Sequence, residues 1–282
     1  RSRYSMSESG ALREFDNNHP YPDAVGLKSL FKFYTVSQSK TQHLRDLFVD
    51  GKLYHALPRQ FNDPFECKPN TRWPTSPDEL SSLGEHISKE ARARGSTATE
   101  ARKTVSIIMS EPKVSEERVT NSIRKTFNEV RICSFTNCKK NLLLWSYYTN
   151  SHEGICVEFD AEKMPISSAY KVNYSDEYPE IIYPTPRDRR VLTPALTKSN
   201  VWKHESEFRT IFTPEAPNQP NNDGQSLLLE GNEIKNIFFG AEMNDSEKEN
   251  LIRLIKDGPF SPSFWNTSLS RSRFKLEFEL RP

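Results

Sequence analysis

The apolar residues of this sequence come in short, aromatic-rich runs, and runs of that length and content fold as strands. Leu30-Phe31-Lys32-Phe33-Tyr34-Thr35-Val36 is the first. Lys52–Leu57, Val130–Phe135, Gly154–Phe159, Tyr170–Tyr174, Glu207–Phe212 and Ile234–Phe239 follow. The last run, Arg273–Leu280, alternates: Phe274, Leu276, Phe278 and Leu280 point one way, and Lys275, Glu277 and Glu279 the other. Helical patterns lie between the runs. Lys40–Asp50 carries Leu44, Leu47 and Phe48 on one stripe, with Gly51 placed to cap it. Leu142–Tyr148 makes a helical turn, and residues 191–200 suit another helix. Asp245–Lys256 carries Leu251, Ile252 and Ile255 and is stopped by Gly258-Pro259. Strands and helices interleave without regular βαβ spacing. The expected class is α+β, with a mixed or antiparallel central sheet and peripheral helices.

Hydrophobic residues are 35% of the 282, yet aromatics reach 11%, so the apolar residues are clustered rather than diluted. That pattern predicts a folded core with long polar excursions. Residues 75–125 are the longest excursion, rich in Ser, Glu, Lys, Arg and Ala. They predict two or three helices inserted at the periphery of a single domain over 27–282. Residues 1–26 are polar, with Pro20 and Pro22, and are expected to form a flexible lead-in. Stretches 176–190 and 214–226 are proline-marked loops. No apolar run approaches the ~20 residues of a membrane span, and the first twenty residues lack the apolar core of a signal peptide. A net charge of +1 does not point to nucleic acid or to an anionic membrane. Cys67, Cys133, Cys138 and Cys156 are too scattered for a disulfide framework, and Cys133-x4-Cys138 lies outside the usual zinc spacing. Reduced thiols in a cytoplasmic protein without a metal are the expectation.

Four clusters carry candidate chemistry, and the shortest is Ser134-Phe135-Thr136 at the end of a core strand. Phe61-Asn62-Asp63-Pro64-Phe65-Glu66 is turn chemistry. It is either a rigid corner with two buried Phe anchors or the edge of a pocket lined by Asn62 or Asp63. Leu144-Trp145-Ser146-Tyr147-Tyr148, followed by His152, is either core or a stacking platform for a flat ligand. In Trp202-Lys203-His204-Glu205-Ser206-Glu207-Phe208-Arg209, an extended backbone puts Glu205 and Glu207 on one face. Two carboxylates so close need one raised pKa or a cation between them, and Arg209 shares their face. The segment is either an ion-pair ladder or an acidic catalytic pair. Gly-rich phosphate loops and Gly-x-Ser-x-Gly elbows are missing from the sequence.

Phe31-Lys32-Phe33-Tyr34, Phe61–Glu66, Cys133-Ser134-Phe135, Leu144-Trp145-Ser146-x-Tyr148, His152-x-Gly154, Glu205-x-Glu207-x-Arg209 and Ile237-Phe238-Phe239-Gly240 occur in that order. The series resembles the bacterial family known as domain of unknown function 2971, which brings no assigned activity. More distantly, the order of elements is similar to ADP-ribosyltransferases of the arginine–serine–glutamate type. That resemblance implies NAD as co-substrate, an unidentified acceptor, and a toxin or defence role. It implies catalytic roles for Glu207 and Glu205. Lys32, Tyr34, Ser134, Trp145, Tyr148 and Arg209 would hold the dinucleotide, with Trp145 or Tyr148 stacking on nicotinamide. Lys32 stands where those enzymes have arginine, and Phe135 interrupts the serine strand. The other class left open is a non-catalytic module that binds a small ligand or a partner protein.

Overall fold

The computed structural model describes residues 8–37, 41–186, 188–214, 216 and 219–282. The first half runs α1 (Glu8–Asn18), β1 (Ser29–Tyr34), α2 (Thr41–Phe48), β2 (Lys52–Tyr54) and β3 (Asn70–Arg72). Three consecutive helices follow: α3 (Pro77–Ala93), α4 (Ala98–Ser110) and α5 (Pro112–Glu129). The second half opens with β4 (Arg131–Thr136), α6 (Leu142–Tyr148), β5 (Ile155–Asp160), β6 (Tyr170–Lys171), β7 (Asn173–Ser175), β8 (Glu180–Ile182) and β9 (Thr197–Ser199). It closes with β10 (Glu207–Phe212), β11 (Ser226–Leu228), β12 (Ile234–Phe239), α7 (Asp245–Lys256), β13 (Ser263–Leu269) and β14 (Leu276–Leu280).

The fold is α+β, as the sequence predicts. Eight strands form one sheet in the order β14-β13-β12-β5-β1-β4-β10-β6. Within this sheet, among the described residues, the β12–β13 pair is parallel and the other pairs are antiparallel. Alternation along β1 assigns its two faces. Leu30 and Tyr34 join the larger core, built with Leu44, Leu47 and Phe48 of α2 and Leu251, Ile252 and Ile255 of α7. Phe31 and Phe33 join the opposite one, with Trp145, Cys156, Phe238 and Leu276. The strand β1 pairs with β5 over six positions, Ser29 to Tyr34. Against β4 the register holds only Phe31 opposite Thr136. The sheet therefore parts beyond that point, and the Lys32 ammonium bridges the gap by donating to the Ser134 carbonyl at 2.9 Å. Gly154 is required nearby, because a Cβ there would fall 2.2 Å from the Tyr34 carbonyl oxygen.

The helices α3–α5 fill the stretch read from the sequence as two or three helices. Capping boxes Ser76/Glu79 and Thr97/Glu100 start the first two. Leu83 and Ile87 pack with Val105, Ile108, Met109 and Val119 in a small core that Trp73 and Tyr183 of the body also enter. The end of α5 reaches the body of the protein, where Phe127 and Ile123 pack against Val130, Ile132 and Cys67.

Several expectations are corrected. The lead-in holds α1, whose Phe15 is buried at 5% exposure, and the His19 ring bonds to the Lys171 carbonyl at 2.9 Å. Residues 1–7 of that stretch, Lys40 of the predicted α2, and Pro217 and Asn218 of the second loop lie outside the described residues. The loop 176–190 contains β8, which pairs in parallel with β3. The final strand begins at Leu276, and Phe274 stands fully in solvent. Phe65 is 65% exposed and is no anchor. Among the described residues, no helix is long and apolar enough to cross a membrane. The four cysteines are free thiols.

Candidate active-site cleft

Where the sheet parts lies a cavity of about 300 Å³, walled by β1, β4, α6, β10 and the turn at 60–66. Its polar side is a buried charge cluster. Lys198 of β9 extends its ammonium to Glu66 at 3.1 Å, Glu205 at 2.5 Å and Glu207 at 3.1 Å. The Arg209 guanidinium holds Glu207 through Nε at 2.6 Å and Nη2 at 3.1 Å. The same Nη2 also meets Glu66, and Nη1 donates to the Ala195 carbonyl at 2.7 Å. All five side chains are buried. Charges out of water are tolerated only when paired and hydrogen-bonded, and here each is.

Local backbone explains how the two acids meet. Glu205 ends a 3-10 turn, Asn200–Glu205, and Ser206 is left-handed at φ 47°. The strand starts only at Glu207. The expected strand alternation of Glu205 with Glu207 is therefore not what joins them. The kink at Ser206 turns both carboxylates onto Lys198, while Phe208 enters the core. Asn141 ties in α6: its Oδ1 caps the helix by accepting from Leu143 and Leu144, and its Nδ2 donates to the His204 carbonyl at 2.6 Å. That clamp sets the Tyr148 hydroxyl 2.8 Å from Glu205 Oε1.

Burial alone would raise the Glu207 carboxyl, but Arg209 and Lys198 outweigh it and hold the group at about 2. Burial would likewise lower the Lys198 ammonium, and Glu207 and Glu66 reverse that, so it stays charged. Burial first, then the charge of Glu205, push the Tyr148 phenol above its ordinary value, which keeps its proton on at neutral pH. Tyr174, whose hydroxyl accepts from the Glu207 amide at 2.9 Å, is raised by burial and by Glu207.

Six of the eight predicted site residues line the cavity: Lys32, Ser134, Tyr148, Glu205, Glu207 and Arg209. Two do not. Tyr34 packs against the larger core, with the Lys32 ammonium 5.7 Å from its ring centre. Trp145 is wholly buried, donates its indole N–H to the Lys139 carbonyl at 2.7 Å and meets Phe33 edge-on at 5.2 Å. It backs the wall of the cleft and presents no face for a ligand to stack on. Lys198 and Glu66 were not foreseen. Glu66 closes the Phe61–Glu66 motif, and two adjacent glutamates demand a cation; the one that bridges both is Lys198, where Arg209 was expected. Nothing in the local pattern around Lys198 marks it.

Comparison of the chain with protein-family models, curated proteins and solved structures found no match.

Proposed function

We propose that this cleft binds the nicotinamide–ribose end of NAD, cleaves the bond between them and passes the ADP-ribosyl group to an acceptor. The observation that carries the reading is the convergence of Lys32, Ser134, Tyr148, Glu205 and Glu207, from separate elements, on one aromatic-walled cavity. A volume near 300 Å³ is at the small end of ligand pockets and suits a ring and a sugar rather than a whole dinucleotide. Lys32 makes no ion pair among the described residues, which leaves its charge for a phosphate.

In this chemistry the electron pair of the C–N bond leaves with nicotinamide, and the ribose becomes an oxocarbenium ion. Glu207, held ionised, supplies fixed negative charge to that cation as it develops. Glu205 takes the acceptor's proton as its nucleophilic atom bonds to the ribose carbon. With water as acceptor the products are nicotinamide, ADP-ribose and a proton. Phe31, Phe33 and Tyr148 offer apolar faces to the ring. A co-substrate of this kind and four free thiols agree with work in the cytoplasm, as a toxin or a defence effector.

A second reading has its own observation. Arg209 and Lys198 already occupy both oxygens of Glu207, as they would in a purely structural cluster beneath a non-catalytic ligand site. Nicotinamide release by the purified protein, followed by chromatography, separates the two. The transferase reading expects release, and a loss of about 10²–10³-fold in Glu207→Gln measured below that variant's own, lowered melting transition. No release, together with no binding of NAD at millimolar concentration, leaves the ligand-binding module.

A further inference from the structure

On the far side of Glu66 and Lys198 lies a second cavity, of about 610 Å³. Asn62, Glu66 and Lys198 line both cavities, so the two spaces share a wall. Three segments distant in sequence build the second: the turn at 62–68, the stretch 175–179 after β7, and the chain around β9 from 194 to 202. Its frame is tied together. Asp63 accepts from the Phe65 amide at 2.8 Å through one oxygen and from the Trp202 indole N–H at 2.8 Å through the other.

The fold leaves apolar surface uncovered here. Phe65 is 65% exposed, Tyr178 45% and Val201 73%. Single exposed apolar side chains are ordinary, but three brought to one groove by separate segments mark an interaction site. The rim is acidic. Asp176 and Glu177 are exposed lining residues and make no ion pair among the described residues. Of the two lysines that line the groove, Lys198 is committed to three buried carboxylates, and Lys68 lies 6.0 Å from the Phe65 ring centre. Aromatic faces beside unpaired carboxylates favour a cation.

We propose that this groove docks a segment of a partner protein that carries a bulky apolar side chain next to a basic one. The apolar side chain packs among Phe65, Tyr178 and Val201, and the basic one meets Asp176 and Glu177. The groove stands on its own observations and does not need NAD chemistry. If the transferase reading holds, the groove brings a docked partner beside the cleft.

The test is fluorescence anisotropy with the full chain and a short fluorescein-labelled peptide of alternating leucine and arginine. A second peptide carries glutamate in place of arginine. The leucine–arginine peptide is expected to bind, and the glutamate peptide at least about tenfold more weakly. Phe65→Ser is expected to weaken binding about tenfold or more with no change in melting temperature, because that ring is mostly in solvent. Asp176→Asn combined with Glu177→Gln should lower affinity and flatten its salt dependence. No binding at millimolar peptide, equal binding of the two peptides, or unchanged binding by Phe65→Ser would each overturn the proposal. A protein that binds the peptide but releases no nicotinamide keeps the groove and loses the transferase.

Discussion

The charge cluster beneath the cleft and the helical appendage use the same side chains in opposite ways. At the foot of the appendage Arg72 of β3 meets Glu79 of α3 at 2.7 Å and Glu180 of β8 at 3.1 Å, yet these side chains stay 28–39% exposed. Arg94 meets Glu90 at 3.8 Å with its own side chain 81% exposed. Water screens such pairs, and each contributes at most about 1 kcal/mol. Around Lys198 and Arg209 no ionic side chain exceeds 7% exposure. There the charges stabilise one another only as a complete set, and removing one strands the others. Ion pairing in this molecule is therefore a surface ornament in one region and an all-or-none device in the other. A fold that keeps three carboxylates and two cations out of water beside an open cavity has placed its costliest groups where a ligand would meet them.

The largest effect that can break this comparison is expected from Arg209→Met. It leaves Glu66 and Glu207 with Lys198 alone, and a loss of about 3–5 kcal/mol in urea unfolding is expected. A loss under about 1 kcal/mol would put the cluster in the same class as the appendage.

Acid sharpens the contrast next. Glu207 is held at about 2 against an ordinary 4.5, so its stabilising contribution is present above 4.5 and disappears as pH falls toward 2. His55 adds to this. It is buried, its Nδ1 donates to the Leu53 carbonyl and its Nε2 accepts from the Thr210 hydroxyl, both at 2.8 Å, and burial lowers it to about 3 from 6.5. Below 6.5 the unfolded chain takes up a proton that the folded chain refuses, so stability falls from there down to about 3. Unfolding free energy measured across pH 7 to 3 should decline from the His55 step onward. The Glu207→Gln variant should lose only the part of the decline below about 4.5. A flat profile between 6.5 and 4.5 would contradict the account of His55.

Arg72→Ala is expected to cost no more than about 1 kcal/mol, and Arg94→Ala nothing measurable by the same unfolding curves. The smallest effect on the cleft is expected from excision. Replacing residues 77–121 by a short flexible linker removes most of a small core to which the body contributes Trp73 and Tyr183, while Ile123 and Phe127 stay in place. Cleft ligand affinity within about twofold of the full chain is the expected result. Collapse of the strand signal in circular dichroism would show that the appendage supports the sheet.

The sheet was legible in the sequence wherever a strand runs through the core. The strands β1, β4, β5, β10 and β12 announce themselves because each carries buried residues on both faces and their runs are aromatic or β-branched. Of the three-residue strands, β2 and β7 fall in longer runs, while β3, β8, β9 and β11 stand alone and hold too few residues to show a period. The strand β13 is diluted by Ser263, Asn266, Thr267 and Ser268, so no apolar run marks it. The site was half legible. Glu205, Glu207 and Arg209 are close in sequence and read as a unit. Lys198 and Glu66 reach them through β9 and a turn whose placement only the folded chain fixes. Trp145 misled because an aromatic that supports a cleft and one that lines it leave the same sequence signal.

A crystal structure with carba-NAD, in which a carbon replaces the ribose ring oxygen so that the nicotinamide bond survives, tests the central claim most directly. The account predicts the nicotinamide ring between Phe31, Phe33 and Tyr148, with the adjoining sugar within hydrogen-bond reach of Glu205 or Glu207 and a phosphate near Lys32. An empty cleft at millimolar analogue, or the analogue bound elsewhere with the cluster of Glu66, Lys198, Glu205, Glu207 and Arg209 untouched, would contradict it.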